Sequence, residues 1–105
     1  MSRKEAYQEK IRARLDKWQA EIEKFKAQTR ESKADAKIEF YQQLDELTHS
    51  QKTAQRKLQE LRRASSESWA ELEAGVDNAV AALHQSLDRA QQKMRITRQK
   101  STVPR

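Results

Sequence analysis

Five apolar residues, Ile11, Leu15, Trp18, Ile22 and Phe25, are separated by four, three, four and three positions. That rhythm is a heptad. It places all five on one narrow stripe of an α-helix, a stripe that is buried only against another helix. With a few slips the spacing resumes at Phe40, Leu44, Leu47, Leu58 and Leu61, and again at Trp69, Leu72, Val76, Leu83 and Leu87. These residues form the expected interaction seam. They predict an all-α chain of long amphipathic helices forming a coiled coil or helical hairpin, with a three-helix bundle as the alternative.

The remaining residues agree with helices. Ala, Glu, Lys, Gln, Leu and Arg dominate, and all are good helix formers. One Gly and one Pro in 105 residues leave room for very few turns. Leu, Ile, Val and Phe together number only 17, too few for a thick core. A coiled-coil seam needs only two apolar residues in seven, so this supply suffices.

Helix ends are legible in places. Ser2-x-x-Glu5 is a capping box, with Tyr7 flanking the seam beyond it. Ala6, Ala13, Ala20, Ala27 and Ala34 recur every seven residues on the side away from the seam. They supply helix propensity, or a second shallow stripe for another helix. Thr29, Ser32 and Ala36 thin the seam, and Ser32-x-x-Asp35 could cap a new helix. The alanine rhythm runs through this point without Gly or Pro, which favours one continuous helix. Ile38 and Tyr41 are expected to widen the buried stripe, and Gln51 and His49 bring polarity to it. Arg62 to Ser68 is the best boundary: basic residues suit a helix end, and Ser68-x-x-Glu71 suits a start. Gly75 inside the last helix costs about 1 kcal/mol relative to Ala, unless it permits a close helix approach.

The expected organisation is therefore a coiled-coil helix over 1–64, a second amphipathic helix over 65–96 packing back, and a basic disordered tail over 97–105. A helix of some 60 residues would span ~90 Å, and the second only ~45 Å. The second would cover Phe40 to Leu61 and leave Ile11 to Phe25 for another chain, most simply in an antiparallel dimer. A break near 29–33 would instead give a monomeric bundle.

Charge is segregated. The net charge of +6 divides into +4 over 1–33, +1 over 34–64, −4 over 65–92 and +5 over 93–105. An acidic last helix beside a basic first one favours their packing, within or between chains. The tail from Lys93 is a weak candidate for anionic lipid or nucleic acid. It lacks aromatics for stacking on bases. The first helix interleaves acids among its bases, unlike a DNA-reading basic region.

The chain offers little site chemistry. It has no cysteine, so thiol catalysis and thiolate metal sites are excluded. His49 and His84 have no ligand-spaced partners beyond Glu46-x-x-His49, a pattern that needs further carboxylates from facing helices. A single glycine excludes a phosphate-cradling glycine loop. No catalytic residue, metal ligand or cofactor site is expected, and no enzyme. No apolar run approaches the ~20 residues of a membrane span. Met1 to Glu5 lacks the apolar core of a secretory signal, so a cytoplasmic location is expected.

Four stretches carry a resemblance: Leu15-Asp16-Lys17-Trp18-Gln19-Ala20-Glu21-Ile22, Lys33-Ala34-Asp35-Ala36-Lys37-Ile38-Glu39, Lys57-Leu58-Gln59-Glu60-Leu61, and Ser68-Trp69-Ala70-Glu71-Leu72-Glu73-Ala74-Gly75-Val76. Together they resemble a family of small bacterial coiled-coil proteins, some of the stress-response type. Trp69-x-x-Leu72-x-x-Gly75-Val76 is the most specific piece. The resemblance implies a cytoplasmic, non-enzymatic helical protein and carries over no catalytic residue. The expected function is helix-mediated self-association, a dimer first, or scaffolding of another protein. Binding to an anionic membrane surface is the alternative, carried by Trp18 and Phe25 on a basic helix; electrostatic nucleic-acid binding ranks behind it.

Overall fold

In the computed structural model, residues 2–102 are described, with side chains to residue 97. The chain forms three helices: α1 (Arg3–Arg30), α2 (Ala34–Arg62) and α3 (Trp69–Thr102). They run up, down and up. Phe25 of α1 meets Phe40 of α2, Glu39 of α2 meets Lys93 of α3, and Trp18 of α1 meets His84 of α3. The result is a three-helix rod with Cα extents of 62 × 23 × 17 Å, in which α2 and α3 form the most extensive helix pair.

The long first helix expected over 1–64 is therefore two helices, and the bundle is the architecture found. Local chemistry ends α1. Thr29 Oγ1 donates to Phe25 O at 2.9 Å, and Ser32 Oγ donates to Gln28 O at 2.8 Å. Ser32 N–H reaches only three residues back, to Thr29 O, which tightens the last turn. Ser32 is thus spent closing α1 rather than capping α2. Lys33 is the N-cap of α2, in extended conformation. At the chain start Ser2 does cap, accepting from Glu5 N–H at 3.1 Å. The second boundary lies where charge placed it, with α2 ending at Arg62 and Leu72 N–H opening the ladder of α3 on Ser68 O.

The seam closes on itself. Ile11, Leu15, Ile22, Phe25, Phe40, Leu44, Leu47, Leu58, Leu61, Val76, Leu83 and Leu87 are all buried in one cluster, joined by Ala54, Ala79, Val80, Ala90 and Met94. Trp18, Trp69 and Leu72 pack against it half-buried. Gln51 reaches this core and donates to Gln19 Oε1 across the α1–α2 contact. A polar pair of this kind ties the two helices at one register.

Four expectations need correction. Ile38 and Tyr41 do not widen the buried stripe; they are 70% and 43% exposed. Ile38 lies two residues before Phe40, about 200° around the helix, on the opposite side. His49 is also exposed and does not join Gln51 at the seam. The last helix does not end at residue 96 but continues to Thr102, into the segment expected to be disordered. Residues 103–105 of that tail lie outside the described ones. Gly75 serves no close approach: a Cβ there would have Lys57 Cδ at 4.0 Å as its nearest neighbour, an ordinary contact.

Two outcomes follow for equilibrium denaturation. Leu47 and Leu83 are fully buried, so Leu47→Ala or Leu83→Ala should each lower stability by about 2–5 kcal/mol. Gly75→Ala should raise it by about 0.5–1 kcal/mol, because the helix gains a better former and the added methyl meets Lys57 Cδ only at an ordinary contact distance of 4.0 Å.

Candidate interaction surface

Three surface features survive the closure of the core. The first is at the end where α1 and α3 both begin. Tyr7 and Trp69 meet edge to face, with ring centroids 6.3 Å apart. Lys4 Nζ sits 5.1 Å over the Trp69 ring. Trp69 Nε1 donates to Glu73 Oε2 at 2.9 Å. The Tyr7 hydroxyl donates to Asp77 Oδ1 and also lies 3.4 Å from Glu73 O. These contacts fasten α1 to α3 beside an open cleft of about 760 Å³. Burial, then the hydrogen bond and negative charge of Asp77, hold the Tyr7 phenol well above its ordinary value of 10.0; Glu73 adds to this and Arg14 opposes it.

The second feature lies midway along the same groove. Trp18 and His84 stack at 5.3 Å with planes 12° apart. His84 Nε2 is 3.7 Å from Asp88 Oδ2. Arg14, Lys17 and Asp77 complete the rim of a second open cleft. The aromatic face of Trp18 is therefore covered from within the chain.

The third feature is the outer face of α2, where Ile38 and Tyr41 stand in solvent one turn apart. On this face Asp45, His49, Lys52 and Arg56 continue the line, all exposed. Exposed isoleucine is ordinary when isolated; here an isoleucine and a tyrosine stand one turn apart on a helix face that no other helix of the chain covers, and Ile96 of α3 is exposed as well. The signal was present in the sequence for Ile38: Phe40 is on the seam, and Ile38 lies about 200° around the helix from it.

The seam residues themselves are not presented outward. They form the joint core of α1, α2 and α3, with Trp18, Trp69 and Leu72 at its margin. Ala6, Ala13, Ala20, Ala27 and Ala34 remain exposed on the outer side of the bundle, uncovered by any helix of the chain. Glu46 and His49 both face solvent. Among the described residues no group of three or more His, Cys, Asp or Glu could hold a metal ion. No described helix is long and apolar enough to cross a membrane. No family model matches the chain, and neither a curated protein nor a solved structure matches it.

The Tyr7 site makes a titration prediction. Tyr41→Phe leaves Tyr7 as the one tyrosine, and its phenolate absorbance should fail to rise at pH values where a free tyrosine, with pKa about 10, ionises. Adding Asp77→Asn should bring the transition back toward the ordinary range. A raised phenol means the folded chain holds its proton longer than the unfolded one. Its contribution to stability is thus full below the unfolded pKa of about 10 and is lost as pH rises toward the folded value.

Proposed function

We propose that this protein is a non-enzymatic helical module that works by association through the outer face of α2. The observation that carries the reading is the contrast between Ile38 and Tyr41, left exposed, and the apolar seam, which is buried or half-buried within the bundle. A closed core gives a three-helix rod, and α2 presents an apolar pair on its outer face, which no other helix of the chain covers; among the described residues Ile96 of α3 is the other exposed large apolar side chain. Self-association is the first expected use of such a face, and scaffolding of another helical protein the second.

We rank membrane-surface binding behind this reading, because Phe25 is buried and Trp18 stacks on His84. A cytoplasmic setting and a role in stress rest on the resemblance to small bacterial coiled-coil proteins and form part of the proposal on that basis alone.

Mutagenesis should separate association from folding. Leu15→Asp or Ile22→Asp places a charge in the bundle core and should unfold the chain, as read by loss of helical circular dichroism. Ile38→Ser with Tyr41→Ser should keep the thermal midpoint and weaken self-association at least about tenfold in sedimentation equilibrium. A wild-type chain that stays monomeric at every concentration, or a double variant that assembles equally well, would overturn the proposal.

A further inference from the structure

α2 carries an arrangement of charge along its length that the fold uses only in part. Residues 34–48 hold four acidic groups and one basic, a net charge of −3. Residues 49–63 hold five basic groups and one acidic, a net charge of +4. Glu39 is taken up by Lys93 of α3 at 2.5 Å, and Lys57 by Glu60 at 3.9 Å. Asp45, Glu46, Lys52 and Arg56 make no ion pair among the described residues, and all four are exposed.

Two intrachain explanations fall short. Acids at a helix start and bases at its end complement the helix dipole, but that effect fades within the first and last turn. Asp45, Glu46, Lys52 and Arg56 lie in the middle of a 29-residue helix. Neighbours four apart account for little of it: Lys52 and Arg56 are a like-charge pair at that spacing, which is mildly destabilising, and Glu60, four residues after Arg56, pairs with Lys57.

We infer that this face docks a second copy of the chain, α2 against α2 in antiparallel orientation, about a two-fold axis passing close to His49. The inference rests on the reading that the outer face of α2 carries association, and it names the partner and its direction. Antiparallel pairing is the orientation in which each acidic half meets a basic half. It sets Asp45 and Glu46 within about a turn of the partner's Lys52 and the partner's Arg56. Ile38 and Tyr41 then lie on the aliphatic stems and guanidinium groups of the partner's basic half, contacts that both apolar surface and aromatic faces favour. Parallel pairing would oppose acid to acid and base to base, which two-fold symmetry cannot relieve. An interface with one apolar pair per copy and many charges is salt-sensitive and owes its direction to electrostatics.

The chain lacks cysteine, so engineered thiols report polarity without interference. Gln42 and His49 are seven residues apart and share one position on the exposed face of α2. In the full-length chain under mild oxidation, His49→Cys should form a disulfide-linked dimer across the axis. Gln42→Cys should not, because antiparallel pairing sets its two copies about 20 Å apart. Equal cross-linking of both variants would show parallel pairing and overturn the inference. Cross-linking of neither, in a chain that still dimerises, would place the interface elsewhere and also overturn it.

Charge reversal gives an independent reading. Asp45→Lys/Glu46→Lys and Lys52→Glu/Arg56→Glu should each weaken self-association at least about tenfold, and an equimolar mixture of the two should regain it. If Ile38→Ser/Tyr41→Ser abolishes the dimer while charge reversal leaves it unchanged, the α2 face stands as the association surface and the antiparallel electrostatic pairing falls.

Discussion

The three-residue turn from Glu31 to Lys33 decides what the seam of this protein is for. Upstream of it, the Ile11–Phe25 stripe needs another helix. Downstream, the chain must either run on and leave that stripe to another molecule, or reverse and cover it. The reversal is held by packing and hydrogen bonds together. Phe25 and Phe40 meet edge to face across the turn, 6.0 Å apart. Thr29 is fully buried and satisfies its hydroxyl on Phe25 O. With the chain reversed, α2 and α3 both line the α1 stripe, and the apolar side chains of all three helices share one core.

That closure changes what the surface presents. Side chains that a coiled-coil reading reserves for a partner are spent within the chain, and the proposed association uses what remains outside. What remains is uneven. The groove between α1 and α3 keeps two open clefts, but its aromatic side chains engage the chain's own residues, Tyr7 on Asp77, Trp69 on Glu73 and Trp18 on His84. The outer face of α2 has no such internal claims beyond its flanks, and it holds Ile38, Tyr41 and two blocks of opposite charge. A face with charge blocks of opposite sign is complementary to itself when turned end for end. In the proposed pairing these blocks set direction more than raw affinity.

The net charge of the helices also has an internal role. The acidic segment 65–92 lies in α3 and the basic segment 1–33 in α1, and the two run side by side in the same direction. Their attraction is screened and modest per pair. It nonetheless agrees with the aromatic and hydrogen-bonded contacts that fasten these helices, and such agreement between levels is what selects one packing over others.

The sequence by itself determined that the chain is helical, where its apolar stripe runs and where the last boundary lies. Periodicity is a local property, so Ile11 to Phe25, Phe40 to Leu61 and Val76 to Leu87 could be read as buried before any packing was known. Ser2 as a cap and Arg62 as an end were legible for the same reason. The tertiary structure decided the rest. Ser32 could serve as the cap of a new helix or as the closing bond of an old one, and only the burial of Thr29 and the meeting of Phe25 with Phe40 selected the second. Ile38 and Tyr41 are apolar residues near a seam in sequence, but whether they are covered depends on how many helices surround α2 and from which sides. Gly75 has no feature in sequence that separates a close approach from open space; the position of Lys57 on the neighbouring helix settles it. In each case the undecided quantity was a contact between segments far apart in the chain, which pattern along the chain does not contain.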